Sequence, residues 1–567
     1  MSGTPSTFAL ETYARRSFNY LTRMVDRDSL PYFNVFWTEP AEAAHDWPDF
    51  GDVMSRQLQA AVMGRVMTGE RLAVEKVWYD KVLSLIDRKQ GLLFRPQTSY
   101  CGYCADMGDQ ALTLYALVTV YGLDGGDMLG LTIRRMVDTL LHRYQADDPD
   151  ARGLDIGFAI KSLMACVRVM GYEPAAALAG LLTRKIFTTT RHFSPDNMFR
   201  HGGHMHMNLR ALLGAADWAL YAGEPVIYSR TNALYQYVRS EATRFGFLPE
   251  VIGRTGDVVL CETCALMDFL GLATTLANHG HPEYWGDVER VVRNHLVESQ
   301  ATDTSWLRSD PTGEDTPQFT WRDVGGRMIG GYAGWTSPNH FLAARETLHW
   351  GGPELRDKPR AFQNCCGGSG THAFFIAWKN AARFTDGQLS VNLHVDKLLP
   401  QAEIRCFQPY QGLLSARLTE ACVVRVRIPE FVRPEEVRAM CDGEPVDASV
   451  WGNYLEVGER RAGQTVTVSY PLAVREEEFT VGNPGFRQYR YRATWKGDTV
   501  VRMTPLGNDC ATGYSDYERA EVPVYYGTEG PAPLYRRDDM LAEAEPVLSP
   551  IHRDDGLLDF WCFGQHP

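Results

Sequence analysis

No stretch of the chain approaches the ~18 consecutive apolar residues that a membrane-spanning helix needs, so the sequence does not read as a helical membrane protein. The first thirty residues also lack an uninterrupted apolar core and a cleavage-like end. Arg15, Arg16, Arg23, Asp26 and Arg27 punctuate a charged amphipathic segment there, and no secretory signal is expected. Positive charge is in deficit: 57 Lys and Arg against 70 Asp and Glu leave a net charge of −13, which argues against nucleic acid or an anionic membrane as the main partner. The cysteine spacing is also not that of a zinc finger or ribbon, in which two short Cys-x-x-Cys or His-x-x-x-His pairs stand close together. Several of the 12 cysteines, among them Cys166, Cys406 and Cys422, fall in apolar runs, which fits a reducing cytoplasm where thiols stay free and disulfides are not assumed.

What is present is an ordinary globular composition, 44% apolar and 22% charged, in a chain of 567 residues whose length predicts roughly two to four domains. From Phe8 to about Ala382, apolar residues recur at spacings of three and four. They predict helices over 58–67, 112–121, 133–144, 160–169, 176–182, 209–221, 234–245, 265–278 and 288–297, a domain of helix pairs spanning 1–383. The stretch 299–365 breaks this rhythm with Trp306, Trp321, Gly325, Tyr332, Trp335 and Pro338, and reads as an ordered loop over a site because flexible linkers lack aromatics. After Arg383 the period changes to two. Strands are predicted over 389–395, 402–407, 422–428, 454–457 and 465–470, an antiparallel β-sandwich within 384–475. The remainder, 476–567, is a β-rich extension with one strand pair at 489–494 and 499–503, and an abbreviated second sandwich is left open.

Chemistry concentrates at Gln363-Asn364-Cys365-Cys366-Gly367-Gly368-Ser369-Gly370, where two adjacent cysteines followed by a small-residue turn are better explained by metal or thiolate chemistry than by packing. About a hundred residues earlier, Cys261-Glu262-Thr263-Cys264 precedes an apolar run of helical period (Ala265, Leu266, Phe269, Leu270, Leu272, Ala273, Leu276), so Glu262 and Cys264 mark a loop entering a helix. Three thiols and one carboxylate can then converge as a four-coordinate set that zinc accepts, and a zinc-bound thiol is deprotonated at neutral pH. The competing reading is a pair of buried structural cysteines with a helix-capping glutamate. The run His201-Gly202-Gly203-His204-Met205-His206 gathers histidines without an acidic partner in the stretch, which disfavours a second metal, and Cys101-x-x-Cys104 reads as structural.

Glu262-Thr263-Cys264-Ala265, Cys365-Cys366 and Asp386-Gly387-Gln388-Leu389-Ser390-Val391-Asn392-Leu393 resemble the bacterial β-L-arabinofuranosidase family of retaining glycosidases. Gly203-His204, Gly214-Ala215-Ala216-Asp217 and Gly223-Glu224-Pro225 follow that family's order and spacing, and Arg461–Val468 resembles the edge of its first β-domain, so the likeness covers roughly 50–475. The resemblance implies an (α/α)6 toroid followed by the sandwich. It also implies zinc held by Glu262, Cys264, Cys365 and Cys366, with Cys365 as nucleophile and Glu250 as general acid/base. His204 would contact the sugar; His206, Tyr332 and Trp335, with Asn339, are further candidates for binding it. Three segments depart from the family: Tyr103-Cys104-Ala105-Asp106-Met107 lacks its histidine, Gly157-Phe158-Ala159-Ile160 replaces Gly-His-Pro-Glu, and Gly367-Gly368-Ser369-Gly370 replaces Pro-Pro-Asn. Two polar contacts to the sugar are thereby missing, so the resemblance carries the chemistry further than the sugar.

The expectation is therefore a cytoplasmic, zinc-dependent, exo-acting retaining glycoside hydrolase. Its substrate would be a small saccharide or glycoside, first a β-L-arabinofuranoside, with no nucleic-acid or membrane partner and a homodimer left open. The alternatives are a sugar lyase or epimerase on the same toroid, which would need no Cys-Cys pair, and a carbohydrate-binding protein with a relic site.

Overall fold

The computed structural model describes residues 5–36, 38–190, 192–199, 204–250, 252, 261–304, 307–332, 336–337, 340–341, 360–482, 488–504 and 537–561. Its helical half is a double ring. The inner ring consists of α2 (Asp52–Thr68), α4 (Met107–Asp124), α6 (Ile160–Met170), α8 (Met205–Ala222), α10 (Thr263–Asn278) and α13 (Cys365–Asn380). Each packs on the next, and α13 closes back onto α2. Outside them lie α1 (Leu10–Arg23), α3 (Ala73–Leu85), α5 (Asp127–Gln145), α7 (Glu173–Thr188), α9 (Pro225–Glu241) and α11 (Trp285–Val291), with the short α12 (Val324–Met328) against α1. This is the (α/α)6 toroid implied by the resemblance.

The two rings differ in sequence because they differ in surroundings. The outer α5 buries one stripe, Leu129, Ile133, Met136, Val137 and Leu140, at helical spacing. Inner helices have protein on every side, so α2 buries nearly its whole circumference, including Ser55, Arg56, Gln57 and Gln59. In α10 and α13 the pattern is the same, down to Thr263, Asp268, Ser369 and His372. Four of the inner helices, α2, α8, α10 and α13, bring their first two turns into contact at one end of the ring. That end gathers the positive poles of the helix dipoles and suits anionic side chains.

The run after Cys366 is helix, not the small-residue turn expected from sequence. A Cβ at Gly368 would stand 2.6 Å from the Arg56 carbonyl oxygen, and one at Gly367 would stand 2.3 Å from the Tyr20 ring. The glycines therefore let α13 lie against α1 and α2 at backbone distance, which outweighs their cost in helix propensity. Asn364 anchors the start of α13: its backbone N–H donates to the Phe33 carbonyl at 2.7 Å, and its Oδ1 accepts from Gln57 at 3.1 Å.

Beyond α13 the sandwich begins at Ala382. One sheet has the strand order Ser449–Trp451, Tyr454–Arg460, Cys422–Arg427, Gln388–Val391, Ala382–Thr385; the other runs Glu444–Pro445, Arg438–Cys441, Thr465–Ser469, Leu413–Leu418, Ala402–Cys406, Lys397–Leu398. All pairings are antiparallel except Cys422–Arg427 on Gln388–Val391, which is parallel. The alternating burial of Leu414, Ala416 and Leu418 and of Val424 and Val426 fills the space between the sheets. A third sheet follows, an antiparallel meander of Val474–Gly482, Gln488–Lys496 and Thr499–Thr504. Its first strand carries Arg475, Glu476, Glu477 and Glu478 and has little apolar alternation to mark it. The C-terminal segment 547–561 returns along the helical body. Ser549 donates from its backbone to Thr7, Asp554 takes the ammonium groups of Lys379 and Lys397 at 2.6 and 2.7 Å, and Phe560 lies against Gly122. No helix among the described residues is long and apolar enough to cross a membrane.

Helix α11 continues into a π-turn, Val292–Leu296, an irregularity often found near functional sites. It carries His295, fully buried, whose two ring nitrogens have no hydrogen-bond partner among the described residues. His295 packs edge-on to Phe247, in the loop that leads to Glu250, with centroids 5.8 Å apart. Burial holds its pKa down at about 3. Below pH ~6.5 the unfolded chain takes up a proton that the folded chain refuses, so stability is present above that pH and falls as pH drops toward 3, by up to about 1.4 kcal/mol per unit. His295→Leu should remove this slope and raise stability at pH 5 more than at pH 8. Urea midpoints at the two pH values check it, and an equal shift at both would show that His295 does not titrate as described.

Candidate active site

At the N-terminal end of the inner ring, Glu262 occupies the N-cap position of α10 without a side-chain capping bond, Cys264 lies in the first turn, and Cys365 and Cys366 open α13. One ligand atom from each of the four lies within 4.8 Å of the others. The Cys264 and Cys366 sulfurs are 3.3 Å apart and those of Cys365 and Cys366 are 4.0 Å apart. Tetrahedral zinc with Zn–S bonds of ~2.3 Å separates two thiolate sulfurs by roughly 3.8 Å, so the spacing and the donor set both fit that ion. The ten described cysteines are all free.

Their environments differ. Cys264 and Cys366 are fully buried, whereas Cys365 is partly exposed. Hydrogen bonds from the Cys264 and Cys366 thiols hold the Cys365 thiol below the ordinary range, while burial pushes Cys264 and Cys366 up. Cys365 is thus the thiol of the three that a substrate can reach. The N-termini of α10 and α13 add to the stabilisation of negative charge.

A second carboxylate stands beside the cluster. An isolated bridge pairs Pro249 with Cys261, and the Glu250 carbonyl accepts from Met205 N–H at 2.7 Å, which brings the loop carrying Glu250 next to Glu262. His204, at the cap of α8, places Nε2 2.7 Å from Glu262 and 3.7 Å from Glu250. Burial opposes a charge on this imidazole, but the two carboxylates more than offset it and raise its pKa to about 9. His204, Glu250 and Glu262 also form a second group of closely spaced donors, so Glu262 belongs to both sets.

The remaining sequence candidates separate. His206 is buried behind the cluster, with Nδ1 2.6 Å from Asp268 and Nε2 3.1 Å from Arg56, so it does not face a substrate. Tyr332 is not brought to the cluster either. It is fully buried on another side of α13, where its ring would meet a Cβ at Gly370 at 2.2 Å, and it serves as packing. Trp335 and Asn339 lie outside the described residues, as do parts of the expected covering loop. Three residues at the cluster escape the sequence reading: Arg56, whose guanidinium is 3.7 Å from Cys264 Sγ; Ser369, 3.3 Å from the same sulfur; and Asp52, paired with Arg56. The helix predicted from periodicity begins at 58, past Asp52 and Arg56, and a charged residue ahead of an apolar run reads as surface.

No family profile and no curated protein matches the sequence. Solved structures do match. One described as a glycoside hydrolase aligns over 84% of this chain and 85% of its own, at 14% identity and a TM-score of 0.58. A GH127 beta-L-arabinofuranosidase from Geobacillus stearothermophilus T6 aligns over 86% and 80%, at 14% identity and a TM-score of 0.55. A further GH127 beta-arabinofuranosidase aligns over 87% and 81%, at 15% identity and a TM-score of 0.57. The chain shares their fold along most of its length, sandwich included.

Proposed function

We propose that the protein is a retaining, exo-acting glycoside hydrolase in which Cys365 is the nucleophile and Glu250 the general acid/base. The observation that carries the reading is the convergence of Glu262, Cys264, Cys365 and Cys366 at the N-terminal end of the inner ring of a toroid whose fold is shared with β-L-arabinofuranosidases. Zinc held by these four residues would keep the thiols ionised and make sulfur a better leaving group. Cys365 attacks the anomeric carbon as Glu250 gives its proton to the departing oxygen, forming a thioglycosyl bond with inversion. Glu250 then takes a proton from the incoming water, whose attack inverts the centre again and frees Cys365. Net retention follows. His204, between Glu250 and Glu262, orients both carboxylates and can carry the shared proton.

A β-L-arabinofuranoside is the first substrate to test, since an enzyme of the same fold is named for its action on that sugar. Phe158 stands where the resembled family has a histidine and packs its ring edge-on to the buried His206 at 5.3 Å, so a polar contact from that position is missing here. The free cysteines fit a cytoplasmic setting.

Freshly purified protein should contain about one zinc per chain, and Cys264→Ser or Cys366→Ser should lower that content at least tenfold along with thermal stability. Elemental analysis finding no zinc, or zinc undisturbed by both substitutions, would remove the basis of this reading.

A further inference from the structure

The guanidinium of Arg56 is the most constrained cation at the cluster. Arg56 is 7% exposed, in the second turn of α2, and each of its nitrogens has a partner. Nε donates to Asp52; one terminal nitrogen lies 3.1 Å from His206 Nε2; the other reaches Ser369 Oγ at 3.3 Å and Cys264 Sγ at 3.7 Å. His206 is itself fixed, because its Nδ1 lies 2.6 Å from a carboxylate oxygen of Asp268, which is 2% exposed. With Nδ1–H given to Asp268, the ring presents Nε2 as an acceptor, which matches an arginine donor. A line of contacts therefore runs from Asp268 on α10 through His206 on α8 and Arg56 on α2 to Cys264 on α10. Gly368 completes the arrangement, since a side chain there would collide with the Arg56 backbone.

We propose that Arg56 is the positioning residue of the thiolate cluster, held by His206 and Asp268, and that its charge governs how tightly the cluster retains its metal. The inference rests on the zinc-binding reading above. Three thiolates and a carboxylate carry four negative charges, of which a divalent ion offsets two, in a site where Cys264 and Cys366 are fully buried. Uncompensated charge at such depth is costly. Arg56 supplies one positive charge on the protein side of Cys264 and one N–H directed at its sulfur. A guanidinium keeps that charge at any working pH and can serve four partners at once because its donors are fixed in a plane. Lysine at this position would keep the charge but not the fork.

The test uses the full chain with zinc and with cobalt(II) in its place. Arg56→Met keeps much of the stem and removes the charge; Arg56→Lys restores charge alone; Asp268→Asn leaves the guanidinium but loosens its anchor. Competition with a chromogenic chelator should show zinc affinity falling 10- to 100-fold in Arg56→Met, as is typical when an outer-shell partner of a metal ligand is lost, with a smaller loss in Arg56→Lys and in Asp268→Asn. The sulfur-to-cobalt charge-transfer bands should move to longer wavelength in Arg56→Met and recover in part in Arg56→Lys, because an N–H and a cation near a thiolate stabilise its lone pairs. A purely structural arginine would lower stability without moving these bands. Should Arg56→Met misfold, the other two variants carry the same readouts. Wild-type protein that binds neither metal stoichiometrically overturns the zinc reading, and this inference with it. Wild-type binding with unchanged affinity and unchanged bands in the folded variants overturns the role of Arg56 alone.

Discussion

Cys365→Ser should abolish turnover, by several orders of magnitude in kcat/KM, while the protein stays folded and still binds sugar. A serine hydroxyl at this position has neither the low pKa nor the polarisable electrons of a thiolate, and the departing group in the second step would be a far poorer one. The geometry separates Cys365 from its neighbours. It is the partly exposed thiol of the three, hydrogen bonds from Cys264 and Cys366 hold it toward the thiolate, and Cys366 is sealed in the packed wall of the ring. A cyclophellitol-type epoxide of matching furanose configuration should add once per chain to the peptide bearing both cysteines, and fragmentation should place it on Cys365. Label on Cys366 would exchange the roles of the two residues. Label on a carboxylate would reduce the cysteines to metal ligands and overturn the mechanism.

How much of this is legible in the sequence depends on what each residue has to bury. Outer helices such as α5 declare themselves by a one-sided stripe, and α10 does so as well because its apolar residues outnumber its buried Thr263, Asp268 and Thr274. Helix α13 does not: four small residues in its first turn and a half resemble a loop until the close approach to Arg56 and Tyr20 supplies the reason for them. The four donors are legible because cysteine beside cysteine, and cysteine two residues after glutamate, are improbable as packing. Arg56 is not, since its burial comes from closure of the ring between α2 and α13, far apart in the chain. His206 stands two residues from His204 in sequence, but one side chain follows the cap of α8 toward Glu262 while the other turns inward to Asp268. The third sheet is half visible: Gln488–Lys496 and Thr499–Thr504 alternate, whereas the acidic run in Val474–Gly482 hides its strand, and pairing with Tyr489, Tyr491 and Ala493 reveals it.

Glu250→Gln should divide substrates by their leaving groups. A glycoside whose aglycone leaves as an alkoxide needs a proton at the moment of cleavage, so losing the carboxyl should cost about 10²- to 10⁴-fold there. An activated nitrophenyl glycoside needs none for its first step and should accumulate the thioglycosyl enzyme, visible as a burst, because water now lacks a base in the second. Added azide, which attacks without giving up a proton, should then restore turnover and yield a glycosyl azide of retained configuration. The structure supports this division of labour: Glu250 is largely buried but not sealed, with its side chain 18% exposed, and is 3.7 Å from the His204 ring, whose other carboxylate partner, Glu262, belongs to the metal-binding set. On the proposed reading Glu262 is committed to the metal, which leaves Glu250 as the carboxyl for proton transfer. Equal losses on both substrate types, no rescue by azide, or an inverted product in a time-resolved NMR run would each exclude Glu250 from that role; the same rescue appearing in Glu262→Gln would transfer the role to Glu262.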